Sequence, residues 1–311
     1  MKKMKIRIYL ILVLGLAVGG ILLVSVKALA GTDSKSYAVN NAAPFTLTVS
    51  VNGVERSALV YPGRKADTKQ SPVIMYFHGF SGTSKDSSQR TRFHKLWRDA
   101  IVVYPQGLKD IVDGTGNKNC GWQRSAGHLG DRDLHFVDAL IDKISSRYKV
   151  NDQTIYAAGH SNGGFLTYVL LTERPSKFAA FASVGCYRAN RGNLPPTTIP
   201  RPVLYIFGKE DHAFDRDGDC PNGGLNCAKE TLAWLLKLNQ CKNEPVKWRY
   251  PGFRKYPPEP SGAVVIWNLH KGGHSWPDHA TKTIVRFFRE DMRKKNPSKK
   301  NNTETIKPDV R

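Results

Sequence analysis

Acidic residues are scarce in this chain of 311 residues: 26 Asp and Glu face 47 Lys and Arg, a formal net charge of +21. A surplus of that size suits nucleic-acid binding, but the sequence has no zinc-finger spacing, no recognition helix and no base-stacking motif. The better reading of the charge is a basic globular protein held loosely near acidic envelope polymers. There is no Cys-x-x-Cys pair among the five cysteines (Cys120, Cys186, Cys220, Cys227, Cys241), which argues against a structural zinc site. No internal repeat, no second core and no Ser/Thr-rich linker to a polymer-binding module is visible, so a single catalytic or binding domain accounts for most of the length.

What is present divides the chain into unequal parts. Lys2, Lys3, Lys5 and Arg7 precede a charge-free apolar run over Ile8–Val26, and Ala28-Leu29-Ala30 follows. This is the layout of a secretory signal with a small-residue cleavage site. The run is also long enough for a retained membrane anchor through residues 8–26. Both readings put the remainder of the chain outside the cytoplasm, either secreted or periplasmic or held at the outer face of the membrane. Residues 31–44 read as a linker, 45–295 as the catalytic domain, and 296–311 as a basic, disordered tail. An exported chain permits disulfides. A local bridge among Cys220, Cys227 and Cys241 is expected, with the pairing open and one thiol left over by the odd count.

Within 45–295, strands and helices alternate. Phe45–Val51 and Val54–Tyr61 flank Asn52-Gly53, the signature of a tight hairpin. Short apolar runs at Val73–Phe77, Ile101–Tyr104, Thr154–Ala158, Phe178–Val184, Pro202–Phe207 and Val264–Leu269 read as buried strands. Helical patterns cover Phe136–Ile144, with Asp131 and Asp133 as expected caps, and then Gly163–Leu171, Ala228–Leu238 and Ala280–Met292. The pattern predicts an α/β fold, with a mostly parallel sheet covered on both faces and an antiparallel hairpin at its start.

The chemistry centres on Gly159-His160-Ser161-Asn162-Gly163-Gly164. A strand leads into it and a helix leaves it, the context in which G-x-S-x-G presents a serine on a sharp turn at a helix N-terminus. A serine hydroxyl needs a base, and the expected chain order is Ser, acid, His. Asp211 follows the strand ending at Phe207, with Glu210, Asp215, Asp217 and Asp219 as rivals. His274 stands in Gly272-Gly273-His274-Ser275-Trp276-Pro277 after the last strand, with His270 and His279 as rivals. The oxyanion would be held by the backbone amides of Asn162 and Phe80, with Ser81 next in line. His78 is expected to bond its own loop. Trp122 and Trp276 flank this constellation and are expected to form a substrate-binding wall, with core packing as the alternative.

These pieces carry a resemblance. His78-Gly79, Tyr104-Pro105-Gln106-Gly107, Gly121-Trp122-Gln123, Asp133 ahead of Phe136–Asp142, the Ser161 motif, Asp211, Cys241 and the His274 motif occur in the order found in the secreted α/β-hydrolase esterases of the polyhydroxybutyrate depolymerase and feruloyl esterase type (carbohydrate esterase type 1-like). The resemblance implies the α/β-hydrolase fold, a triad of Ser161, Asp211 and His274, and hydrolysis of hydroxycinnamoyl or short 3-hydroxyalkanoate esters without metal or organic cofactor. Two departures stand out. Phe207 occupies a position where the family often has His, and Asp215–Cys227 reads as an altered, cysteine-bearing insertion beside the acid. Two alternatives remain open on the sequence: a secreted peptidase of the same fold, and a non-catalytic binding protein tethered to the envelope.

Overall fold

A computed structural model describes residues 43–188, 199–215, 220 and 223–295, all within the compact unit Val39–Arg311. The expectations for the N-terminal signal or anchor, for all of the linker but its last two residues, and for the basic tail lie outside the described residues.

The chain opens with the hairpin β1 (Phe45–Val51) and β2 (Val54–Tyr61). Asn52 and Gly53 both have positive φ (50° and 79°), the paired left-handed geometry of a two-residue turn that matches strand twist. β3 (Ser71–Phe77) is buried along its whole length. It leads to the helices α1 (Ser84–Thr91) and α2 (Phe93–Leu96) and to β4 (Ile101–Pro105). A separate small hairpin, β5 (Leu108–Val112) with β6 (Lys118–Gly121), precedes the long helix α3 (Arg132–Arg147). β7 (Val150–His160), α4 (Asn162–Glu173), β8 (Ala180–Val184), β9 (Val203–Gly208) and α5 (Gly224–Leu238) continue the alternation. β10 (Val246–Lys247), β11 (Phe253–Tyr256), β12 (Val265–His270) and α6 (Ala280–Lys295) close it.

Ten strands form one sheet in the order β1-β2-β4-β3-β7-β8-β9-β12-β11-β10. The six from β4 to β12 run parallel, and each end of the sheet finishes antiparallel. The expected fold class and opening hairpin are both borne out.

Strand alternation sorts the side chains into two cores. Val73, Met75 and Phe77 of β3 join Ile155 and Ala157 of β7 under α3, α4 and α5. Ile74 and Tyr76 join Tyr156 and Ala158 under α2 and α6. Burial on both faces explains why the central strands read as continuous apolar runs.

One capping expectation is corrected. Asp131 occupies the N-cap position of α3 in the left-handed region and makes no side-chain cap bond. Its Oδ1 instead accepts from Gln123 Nε2 and the Gly127 amide. The orphan amides of Asp133 and Leu134 donate to Gln123 Oε1. Asp133 is turned inward, where it accepts from the buried Arg56 guanidinium at 2.8 Å and from the Gln123 amide at 2.7 Å.

Candidate active site

β7 and α4 meet at Ser161, whose backbone has φ 52° and ψ −118°, a conformation that costs a non-glycine residue energy. The turn is so tight that a Cβ on Gly159 would lie 2.1 Å from the Gly163 carbonyl oxygen, and one on Gly163 would lie 2.2 Å from the Phe77 carbonyl oxygen. The two glycines of the motif are therefore demanded by backbone contact on both sides of the serine. α4 is buried on nearly every face, so Ser161 sits on a rigid element at the helix's positive end.

The three residues singled out by order along the chain come together in space. Ser161 Oγ lies 2.8 Å from His274 Nε2. His274 Nδ1 lies 2.8 Å from Asp211 Oδ2 and 3.0 Å from Asp211 Oδ1. A neutral imidazole bonded to both partners carries its proton on Nδ1, donating to the carboxylate, and accepts the serine hydroxyl at Nε2. Asp211 is 2 % exposed and also accepts from the Ala213 amide.

Of the rivals, Asp215, His270 and His279 are occupied elsewhere, Glu210 is exposed, and Asp217 and Asp219 lie outside the described residues. Asp215 accepts from the Gly224 amide with one oxygen and pairs with His212 through the other. His270 Nδ1 accepts from the Gly272 amide, and His279 Nε2 bonds to Asn268.

The two amides expected to face an oxyanion flank the serine. Asn162 is the first residue of α4, where helix amides lack intrahelical acceptors. On the opposite loop, the Ser81 amide donates to the Cys120 carbonyl at 2.8 Å, which leaves Phe80, exposed at the rim, as the available donor. His78 braces this loop. Burial holds its pKa down to about 4, so the ring is neutral: Nδ1–H donates to the Gly79 carbonyl and Nε2 accepts the Gly107 amide.

The two tryptophans differ in their surroundings. Trp122 is wholly enclosed, its ring edge-on to Phe77 and near His78, because its indole N–H finds a partner inside, in the His78 carbonyl. The substrate-contact role expected for Trp122 is thereby replaced by a core position. Trp276 is half-buried. Its ring packs edge-on to Tyr76 and His160, and Nε1 donates to Thr281, so it stiffens the turn that carries His274.

Two neighbours of His274 were not singled out from the sequence. The His160 ring lies against it, and Phe214 meets it edge-on with centroids 5.0 Å apart. Phe214 belongs to a cluster with Phe165 and Tyr187, and the Arg124 guanidinium lies over the Phe165 ring while donating to Tyr187 Oη. Phe214 lies three residues beyond Asp211, but only the folded chain shows which ring it faces.

The model of the prolyl oligopeptidase family matches residues 92–192. Among curated proteins, the chain is 26% identical over 247 residues to "Putative esterase NocK" of Nocardia uniformis subsp. tsuyamanensis, covering 70% of this chain and 68% of that one. It is 25% identical over 239 residues to feruloyl esterase B of Piromyces equi, covering 69% of this chain but only 41% of that longer protein. Among solved structures, acetyl xylan esterase from Aspergillus awamori superposes with a TM-score of 0.56 at 16% identity, over 79% of this chain and 99% of that one. The chain thus has the α/β-hydrolase fold, and the relatives it resembles bear the names of esterases.

Proposed function

We propose that the protein is a carboxylic ester hydrolase working through an acyl-enzyme on Ser161. The observation that carries this reading is the unbroken line from Asp211 through His274 to Ser161 Oγ, with both links near 2.8 Å. Ser161 Oγ attacks the ester carbonyl while His274 Nε2 takes its proton. The oxyanion is held by the amides of Asn162 and Phe80. When the tetrahedral adduct collapses, His274 returns the proton to the leaving alcohol. Water then repeats the sequence on the acyl-enzyme. Asp211 fixes the imidazole tautomer and stabilises the imidazolium without itself taking the proton.

The names of the relatives support hydroxycinnamoyl esters as the substrate class, with short 3-hydroxyalkanoate esters second. The apolar run at 8–26 and the Cys220–Cys227 disulfide support an extracytoplasmic location, secreted or anchored. The basic surplus supports loose contact with acidic envelope polymers. The match to the prolyl oligopeptidase family keeps a peptidase in the comparison, although the esterase relatives align over far more of the chain.

The test is a substrate panel run with wild type and Ser161→Ala side by side: p-nitrophenyl acetate and butyrate, methyl ferulate, soluble 3-hydroxybutyrate oligomers and a prolyl p-nitroanilide. Ester turnover that collapses in Ser161→Ala is expected, and the preferred ester names the subclass. Turnover of the anilide alone would replace the reading with a peptidase. Equal turnover in both proteins would remove Ser161 from the chemistry.

A further inference from the structure

The two amides that would hold the oxyanion come from opposite walls of the site. Asn162 stands at the head of α4, and Phe80 lies on the loop after β3. Their spacing matters at the level of a few tenths of an ångström, because each donor must reach an oxygen that exists only in the tetrahedral adduct. The two walls meet in backbone contact where Gly163 packs against Phe77 and His78. A further residue hydrogen-bonds to both.

That residue is Trp122. Its indole N–H donates to the His78 carbonyl at 2.9 Å, two residues before Phe80. Its own backbone is clasped by the Asn162 side chain in both directions: the Trp122 amide donates to Asn162 Oδ1 at 2.7 Å, and Asn162 Nδ2 donates to the Trp122 carbonyl at 3.2 Å. Gly121 admits this clasp, since a Cβ there would meet Asn162 Oδ1 at 2.8 Å. The same short strand supports the Phe80 loop a second time. Cys120 accepts the Ser81 amide, and Asn119 accepts the Ser81 hydroxyl at 3.0 Å. From the other side, the Gly107 amide holds His78 Nε2. Trp122 is itself immobile, being fully buried and packed against Phe77 and His78.

We propose that Trp122 is a positioning residue that sets the distance between the two oxyanion donors by bonding the Phe80 loop through its indole and Asn162 through its backbone. It touches no reacting atom. The inference rests on the esterase reading above and goes beyond it, because it turns a residue expected to contact substrate into one that gauges the oxyanion hole.

The test uses Trp122→Phe, which keeps an aromatic ring and removes the N–H donor, and Asn162→Ala, which keeps the backbone amide and removes the clasp. Both are compared with wild type on p-nitrophenyl butyrate, with active sites counted by a fluorophosphonate. The second readout is inhibition by an alkyl trifluoromethyl ketone. Ser161 Oγ adds to its carbonyl carbon, the hydroxyl proton passes to His274 Nε2, and the ketone oxygen takes the negative charge in the hole.

The expected result for each variant is a fall in kcat of about 10-fold to 100-fold, short of or equal to the loss of one donor, with KM within about threefold of wild type. The ketone's inhibition constant is expected to rise by the same factor as kcat/KM falls. A purely structural role would lower the titratable fraction while leaving kcat per titrated site and ketone affinity intact, and that result overturns the proposal. If Trp122→Phe does not fold, Asn162→Ala decides alone: unchanged kcat and ketone affinity overturn the proposal. Absence of ester turnover in wild type would sink the esterase reading and this inference with it. Wild-type turnover that persists undiminished in the variants would sink only the inference.

Discussion

The ring of His160 lies 5.3 Å from that of His274, tilted by 33°, with no hydrogen-bond partner for its Nε2. Burial first, and then the neighbouring His274 and Arg90, hold its pKa down to about 3. A neutral ring tilted against the base places no positive charge against the imidazolium that would form during turnover. It also makes folding sensitive to acid. The unfolded chain takes up a proton near the ordinary histidine value of 6.5, and the folded chain refuses it until about 3. The depressed value therefore leaves stability intact above 6.5 and removes it progressively as pH falls towards 3. Urea unfolding at pH 7 and pH 5 is expected to show that wild type loses about 2 kcal/mol more than His160→Asn. Equal losses in the two proteins would mean that His160 titrates normally in the fold.

The closeness of Gly163 to the Phe77 carbonyl makes a second prediction. An alanine Cβ at 2.2 Å from that oxygen forces β3 and α4 apart, and the contact cannot relax because both partners are backbone. Gly163→Ala is expected to lower unfolding stability by about 2 kcal/mol or more. Gly114→Ala is the control, since nothing lies within 4 Å of the Cβ it would add. Its effect on the urea midpoint is expected to stay within about 0.5 kcal/mol. Similar midpoints for the two variants would show that the elbow has slack that the static contact does not reveal.

The sequence discloses the parallel strands and the serine turn for one physical reason, and Asp211 and His274 then follow from their places after two of those strands. Buried strands must be apolar throughout, and the serine turn must be made of glycines, so both leave marks that a single chain carries in itself. Segments without that requirement stay hidden. α1 is Ser-Lys-Asp-Ser-Ser-Gln-Arg-Thr and buries only Ser87, Ser88 and Thr91, so no apolar period announces it. Its start is nonetheless written in Thr83, whose hydroxyl caps the Asp86 amide. β5 and β6 are short, mostly half-buried or exposed, and pair only with each other, and their apolar residues neither alternate nor form a continuous run, so pattern cannot find them. The enclosure of Trp122 and the contact of Phe214 with His274 depend on partners far off along the chain, and no local pattern encodes them.

Arg56 and Asp133 form a buried ion pair, 2 % and 0 % exposed, that ties β2 to the start of α3. Burial lowers the Arg56 pKa, and Asp133 beside it is what works against that shift. The guanidinium also lies 4.1 Å from the centroid of the Phe136 ring. Removing only the cation leaves a carboxylate enclosed with the Gln123 amide as its nearest remaining donor. Arg56→Met is expected to cost about 3–5 kcal/mol of stability, whereas Arg56→Met with Asp133→Asn should recover part of it. Chemical denaturation of the two variants reads this directly. A single substitution as mild as the double would show that water reaches Asp133.

The disulfide Cys220–Cys227 closes a short loop next to the site, spanning seven positions at the entry to α5. Its location raises the question of whether the bridge holds the catalytic acid or only the surrounding loop. Asp211 has supports of its own: it follows β9 directly, and its amide and carboxylate are bonded to Gly208 and Ala213. Asp215, just beyond, grips the Gly224 amide at 2.9 Å, a tie that does not run through the bridge. The bridge should therefore act chiefly on the unfolded chain. Loop-closure entropy for about eight residues corresponds to roughly 2–3 kcal/mol. Reduction, or the double variant Cys220→Ser with Cys227→Ser, is expected to lower stability by that amount, with ester turnover at 25 °C retained within about threefold. The double variant should then be indifferent to reductant. A collapse of turnover while the protein remains folded would instead show that the bridge sets the position of Phe214 against His274, and would make this insertion part of the site.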